Sequence, residues 1–144
     1  MESPGGTYKV YYGTFDVDIS DALNIKKEVY SSSITSVLGV SLAQMSSAQL
    51  HTVWSRGNEI YHSSGTGTTW STATNISNNA GTSINPSIAT ISGTIVRVVW
   101  QDNTPGNNDI LTKQYNQSWS SVENISYNFG SSVNPTIMFS STYY

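Results

Sequence analysis

The chain has 144 residues, a net charge of −3 and a charged fraction of only 10%, whereas charged residues make up about 25% of an average soluble domain. Its length is that of one domain. The six lysines and arginines form no basic stripe, and no apolar run is long enough to span a bilayer. Neither a nucleic-acid partner nor membrane insertion is therefore expected. The absence of cysteine excludes disulfides, thiol catalysis and zinc–thiolate sites.

Residues 1–36 are interpreted as a degenerate partial unit of a repeat that becomes clear further along the chain. Alternating apolar residues at 8–15 and a short run at 22–25 predict two strands. A short helix over residues 22–30 is the alternative, because Ala, Leu, Lys and Glu favour helices. Residues 16–21 alternate oxygen ligands like the start of a calcium loop, but the glycine and glutamate that such a loop requires are replaced by Asp21 and Lys27.

Residues 37–85 and 86–134 are two copies of one repeat. Trp54 recurs as Trp100, 46 residues later, and Asn75-Ile76-Ser77 recurs as Asn124-Ile125-Ser126, 49 residues later. The second copy gains four residues in the loop at 102–108. Short runs bounded by Gly, Asn, Ser and Pro predict four strands per copy. They lie at 35–42, 50–54, 59–62 and 73–76, and again at 86–91, 95–100, 109–113 and 122–125.

Four strands in a period of nearly fifty residues are typical of a propeller blade. We therefore predict an all-β fold with two full four-stranded blades and partial blades at each end. The last of these, residues 135–144, is the opening strand of a further blade. Because propellers usually have about four to eight blades, three outcomes are open. The chain is part of a longer array, or copies complete a ring together, or they stack into an open filament.

One turn resembles the Asp-box of sialidase-like and related BNR-repeat propellers, Ser-x-Asp-x-Gly-x-Thr-Trp. Residues 63–70 match it at Ser63, Gly67, Thr69 and Trp70, while Gly65 stands where the family has its Asp. The resemblance implies a structural hairpin between the third and fourth strands of a blade, with the Trp packed between blades. Residues 75–86 and 99–110 are also similar to repeats of secreted propeller arrays in archaea and environmental bacteria.

No catalytic set is expected. A sialidase needs an arginine cluster, an acid and a tyrosine nucleophile, and this chain has only two arginines, Arg56 and Arg97. A cofactor or metal is not predicted. The loop with Asp102, Asn103 and Asp109 is a weak candidate for calcium or a ligand, although Asp and Asn more often bond their own backbone in turns. The repeated residues Trp54, Trp100, Trp119, Pro86 and Pro135 are expected in the core rather than on a sugar.

The sequence thus predicts a non-catalytic extracellular or cell-surface module that binds a glycan or protein, or that self-assembles by blade completion. Its partner would be further copies of the chain, in an oligomer or polymer, or a glycan. A filament or surface-layer subunit is one alternative. A fragment of a sialidase-like glycoside hydrolase is the other. The motif Asn75-Ile76-Ser77 and its second copy also match the N-glycosylation sequon.

Overall fold

The computed structural model describes residues 8–12, 27–32, 37–45, 47–66 and 68–140. All regular structure in that part of the chain is β-strand, paired antiparallel, which confirms the all-β prediction. The strands form three separate sheets, and the described residues close into no barrel or ring. No helix in the same ranges is long and apolar enough to cross a membrane.

Strands β1 (Tyr8–Tyr12) and β2 (Lys27–Ser32) form a two-stranded antiparallel pair. Because β2 includes residues 27–30, the alternative of a helix up to Tyr30 is wrong for that stretch. Pairing with β1 and the β-forming residues Val29 and Tyr30 outweigh the helix propensity of Lys27 and Glu28. The predicted strand at 22–25 and the acidic stretch at 16–21 lie outside the described residues.

The first four-stranded sheet is a meander of β3 (Val37–Gln44), β4 (Leu50–Arg56), β5 (Glu59–Gly65) and β6 (Thr74–Asn75). A two-residue turn, Gly57 and Asn58, joins β4 to β5, and both residues have positive φ. This is the type I′ geometry whose twist matches that of a hairpin. Trp70 makes one further bridge to Gly65, ahead of β6 on the same edge of β5.

The second sheet repeats this arrangement with β7 (Ser83–Ser92), β8 (Ile95–Asp102) and β9 (Asp109–Asn116). Two short strands, β10 (Ser118–Trp119) and β11 (Glu123–Asn124), pair with different parts of β9. Together they occupy one fourth-strand position, as Trp70 and β6 do in the first sheet. The predicted strands at 50–54, 59–62, 95–100 and 109–113 are confirmed within β4, β5, β8 and β9.

The hydrophobic core lies between the two four-stranded sheets. Alternate residues of β8 point to the first sheet, because successive side chains of a strand face opposite sides. Fully burying one large apolar side chain contributes about 1.5–3 kcal/mol. The core contains Met45, Val53, Ile60 and Ile76 from the first repeat and Ile88, Val96, Val98, Trp100 and Leu111 from the second, with Ala43, Tyr115 and Trp119 packed against it.

The other repeat-core candidates lie outside this cluster. Trp54 is fully buried on the opposite face of β4 and stacks on Tyr61 at a ring separation of 6.2 Å. Full burial leaves neither Trp54 nor Trp100 available to stack on a sugar. Pro86 is buried and approaches Gly39 so closely that a Cβ there would lie 3.0 Å from the proline Cδ. Pro135 is half-buried.

The inner strands share one backbone irregularity. Gly39, Asn85 and Asn134 have φ of 59°, 53° and 53°, at equivalent positions of three successive units. In β3 and β7 this left-handed residue coincides with a β-bulge, where the register to the next strand shifts. Glycine and asparagine are the residues that adopt this conformation most readily. The bulge is therefore a repeated feature of the fold.

The bulges set the contact from one unit to the next. Ile88 N donates to Ser41 Oγ at 3.2 Å, and Ile137 N donates to the equivalent Ser87 Oγ, also at 3.2 Å. The side chains of Asn85 and Asn134 bond to each other at 2.8 Å. Residues 133–140 pair with no described strand. Their bond to Ser87 of β7 nevertheless repeats the bond of β7 to Ser41 of β3.

Replacing Asn85 by Val should destabilise the protein more than replacing it by Gly. Both variants lose the exposed hydrogen bond to Asn134, and this loss should lower the free energy of unfolding by about 1 kcal/mol. Only Asn85→Val also forces a β-branched residue into a left-handed conformation, for about 2 kcal/mol more. Urea unfolding of the three proteins measures the difference. Equal losses in the two variants would contradict the repeated bulge.

Candidate functional site

Asp102 is a fully buried carboxylate at the end of β8. Its Oδ2 accepts from Ser83 Oγ at 2.5 Å, Asn79 Nδ2 at 2.7 Å and Trp100 Nε1 at 2.9 Å. Its Oδ1 accepts from Thr104 N at 2.8 Å. Asp102 therefore ties β7, β8 and the segment leaving the first sheet together.

The ionised form of Asp102 is the stable one at neutral pH. Burial by itself raises the pKa of this carboxyl, but the bonds from Ser83, Thr104 and Trp100 outweigh burial and hold the pKa below its usual range. A carboxylate that accepts several hydrogen bonds tolerates burial for this reason. Asn103 extends the junction, because its Oδ1 accepts from Thr82 N at 2.6 Å.

The repeated Asn-Ile-Ser motif builds a second polar cluster in each unit. In the second unit, Asp109 accepts from Ser126 Oγ and from Asn124 Nδ2, each at 2.8 Å. Ser126 Oγ also accepts from Ile110 N at 2.9 Å. In the first unit the serine bonds recur, with Ser77 donating to Glu59 and accepting from Ile60 N, while the second Glu59 oxygen accepts from Asn79 N. The motif that matches a sequon thus has a structural role, because Asn124 and Ser126 both donate to Asp109.

The calcium hypothesis for Asp102, Asn103 and Asp109 finds no support in this geometry. All four carboxylate oxygens of the two aspartates accept bonds from N–H or O–H donors. A Ca²⁺ ion needs six to eight oxygen ligands that are free to coordinate it. Among the described residues, no group of three or more His, Cys, Asp or Glu side chains is arranged to hold a metal ion.

The Asp-box-like residues lie in the turn after β5. Ser63 is fully buried and donates from its hydroxyl to Ser71 O at 2.8 Å, while Thr69 is exposed and Trp70 half-buried. Gly67 lies outside the described residues. Gly65, where the box has its Asp, has no space for a side chain, because a Cβ would lie 2.1 Å from Thr69 O. At this position the turn differs from an Asp-box in geometry as well as in sequence.

The two arginines lie apart, one in each four-stranded sheet. Arg56 stacks over the Tyr61 ring, and Arg97 Nη2 donates to Gln114 Oε1 at 3.0 Å. Each guanidinium is therefore occupied with its own sheet.

A buried pair of histidines occupies the interface between the sheets. His51 Nδ1 and His62 Nε2 are 2.9 Å apart and share one hydrogen. Tyr115 and Trp119 of the second sheet pack on the pair, with the His62 and Trp119 rings edge to face at 4.9 Å. Burial lowers the pKa of both histidines, and burial together with the neighbouring His51 lowers the pKa of His62 to about 3. The sequence shows two isolated histidines, and only the pairing of β4 with β5 brings them together.

An open cavity of about 400 Å³ lies beside the loop between β8 and β9. Two exposed aromatic side chains, Tyr127 and Phe129, line it together with the loop residues Pro105 and Asn107. Asp109, Asn124 and Asn128 complete the lining. The aligned repeats contain a signal for this site, because the first unit has Asn78 and Ala80 where the second has Tyr127 and Phe129.

Compared with protein-family models, curated proteins and solved structures, the chain matches none.

Asp102→Asn should lower the free energy of unfolding at pH 7 by about 3 kcal/mol, because an amide cannot accept all the hydrogen bonds that the buried carboxylate accepts. The matched control is Asn103→Ala, which removes one exposed side chain from the same junction and should cost about 1 kcal/mol. Urea unfolding gives both values. If Asn103→Ala lost as much free energy of unfolding as Asp102→Asn, the buried carboxylate would not be the main stabilising group of this junction.

Stability should fall on acidification from pH 7.5 to about 5, above the carboxyl titrations. The folded pKa of His62, about 3, lies below its ordinary value of 6.5, so the unfolded chain takes up the proton first. The histidine contribution is complete above pH 6.5 and is lost below it at about 1.4 kcal/mol per pH unit for one proton. His62→Thr introduces the residue of the second unit, Thr112, and should reduce this slope. An unchanged slope in urea unfolding series would refute the assignment.

Proposed function

We propose that this chain is a non-catalytic module of propeller-type repeats that works by associating with further repeats, the partner being a second copy of the chain. The observation that carries the proposal is the contact between inner strands, which occurs twice. Ser41 Oγ accepts a hydrogen bond from Ile88 N, and Ser87 Oγ accepts the equivalent bond from Ile137 N. Stacking of one unit on the next is thus a property of the repeat rather than of one particular pair of sheets.

The outer face of the second sheet is incompletely covered. Ile76 is 2% exposed because the second sheet covers it, whereas its equivalent Ile125 is 55% exposed. Ile60 is likewise fully buried, and its equivalent Ile110 is half-buried. These differences have the size expected if a further sheet belongs on this face.

At the opposite end of the stack, the apolar residues that stay exposed lie on β3, because Trp54 on β4 is already buried. Val40 and Leu42 on β3 are 52% and 47% exposed, whereas their equivalents on β7, Pro86 and Ile88, are buried against the first sheet. The β3 edge of one copy therefore has the pattern that fits the open face of another. Such a contact is head-to-tail, and it generates a closed ring or an open filament, depending on the rotation between copies.

The blade interpretation and the alternatives follow from the same contact. Two meanders of one topology, stacked face to face, support blades of the kind the Asp-box resemblance implies. A filament or surface-layer subunit results if repeated head-to-tail contacts do not close into a ring. An extracellular or cell-surface location is part of the proposal and rests on composition and resemblance.

The test is a pair of variants that each block one end. Ile125→Asp and Leu42→Asp should each reduce the solution mass, measured by light scattering after size exclusion, to the 15.6 kDa of one chain. Mixed together, they should form a dimer, because one intact interface remains between the two different variants. Tyr127→Asp is the matched control, since its equivalent Asn78 stays exposed beside the second sheet.

Two results would contradict the proposal. One is a wild-type protein that stays a monomer at every concentration. The other is a mixture of the two variants that shows no dimer although each variant melts at the wild-type temperature.

A further inference from the structure

We infer that the cavity between Tyr127, Phe129 and the β8–β9 loop is a binding site for a neutral carbohydrate. This loop cavity is the space of about 400 Å³ lined by Tyr127, Phe129 and the loop residues Pro105 and Asn107. The site deepens the binding role expected of such a module, but it does not depend on the association of copies proposed above.

The fold does not require the two aromatic residues. Asn78 and Tyr127 occupy equivalent positions with φ of 41° and 35°, so the turn has the same shape in both units. Asn79 and Asn128 make the same bonds in the two turns, each accepting at 2.8 Å from the glycine N two residues later. A turn that forms equally well with Asn78 and Ala80 gains nothing structural from Tyr127 and Phe129.

Association of repeats does not require them either. The second sheet covers Ile76, but it leaves Asn78 and Ala80 exposed. A further repeat placed on the second sheet in the same way would cover Ile125 and leave Tyr127 and Phe129 open. Their exposure, 86% for Tyr127 and complete for Phe129, is therefore not the mark of a missing repeat.

A second departure from the repeat lies at the same place. The first unit joins β4 to β5 by the two-residue turn Gly57-Asn58, whereas the second unit has a longer loop between Asp102 and Asp109. That loop supplies Pro105 and Asn107 to the cavity. The two features that distinguish the second unit from the first thus line the same cavity.

The backbone segments around the cavity are joined to each other before any ligand arrives. Asn107 Nδ2 donates to Asn128 O and Gly130 O, and Asn108 Nδ2 donates to Ser131 Oγ at 3.2 Å. These bonds fix the β8–β9 loop to the turn that carries the aromatic residues. A preorganised site loses less conformational entropy when it binds.

The lining favours a sugar ring over other ligands. A volume of about 400 Å³ falls in the range of small-ligand sites. Aromatic faces suit the C–H faces of a pyranose. The Asn107 side-chain oxygen and the Tyr127 hydroxyl bond to no described residue, so both are available to sugar hydroxyls. No Lys or Arg lines the cavity, which disfavours a phosphate or another anion.

The experiment uses saturation-transfer NMR on the full chain with cellotriose, maltotriose, laminaritriose, mannotriose and chitotriose as probes. We expect transfer to at least one trisaccharide. The variant Tyr127→Asn/Phe129→Ala introduces the residues of the first unit and should weaken that binding at least about tenfold while keeping the melting temperature. The reciprocal variant Asn78→Tyr/Ala80→Phe should gain no site, because the first unit lacks the long loop.

Two controls separate this site from the association proposal and from a protein partner. Ile125→Asp should bind the trisaccharide as the wild type does, whatever its solution mass. Absence of transfer to all five probes, or transfer that the Tyr127→Asn/Phe129→Ala variant leaves unchanged, would overturn the assignment. A panel of unstructured peptides that binds at these aromatic residues when no trisaccharide does would assign the cavity to a protein ligand and overturn it equally.

Discussion

A four-stranded sheet has two faces, and the burial of one face by the next sheet is the interaction on which this structure depends. The Val53 face of the first sheet covers the Trp100 face of the second, and the large apolar side chains at their centre supply most of the core. Polar groups at the rim then fix the alignment of the sheets. Lys113 Nζ reaches Ile76 O across the interface, and Asp102 gathers donors from both repeats. The bulges at Gly39 and Asn85 occur where neighbouring inner strands meet, and there Ile88 N donates to Ser41 Oγ.

Comparing the two repeats separates residues that the fold needs from residues that it does not. The Asn-Ile-Ser turn, the bulge and the serine acceptors recur with the same partners in each unit, so their presence is explained by folding. Tyr127, Phe129 and the loop at 102–108 do not recur, although the backbone around them does. One chain with an internal repeat thus carries its own reference for what is structural. Some residues of the second unit differ from their equivalents in the first and stay exposed where a neighbouring unit would not cover them. Folding and association do not explain these residues, so they are the candidates for a binding role.

The sequence was sufficient for the strands of the sheet centres but not for the contacts between sheets. Alternation and bounding turns located β4, β5, β8 and β9, because both are local properties of the chain. The role of Asp102 was missed, since its donors lie up to 23 residues away and across the sheet interface. His51 and His62 are 11 residues apart and meet only through the pairing of β4 with β5. The Asp-box resemblance rested on spacing, and the geometry at Gly65 depends on the carbonyl of Thr69, which spacing does not reveal.

The two proposals concern surfaces that do not compete. Ile125 lies on the open face of the second sheet. The loop cavity is lined by Tyr127 and Phe129, whose equivalents in the first unit stay exposed when the second sheet packs there. In an assembly of head-to-tail copies, every chain would therefore present one loop cavity to solvent at a fixed interval. A single shallow site with two aromatic residues binds a sugar weakly, and repeating it on one rigid particle raises the effective affinity for a polymer of that sugar without any new contact. Association as proposed would thus strengthen the binding of a polymeric carbohydrate, although the loop cavity itself would not depend on it.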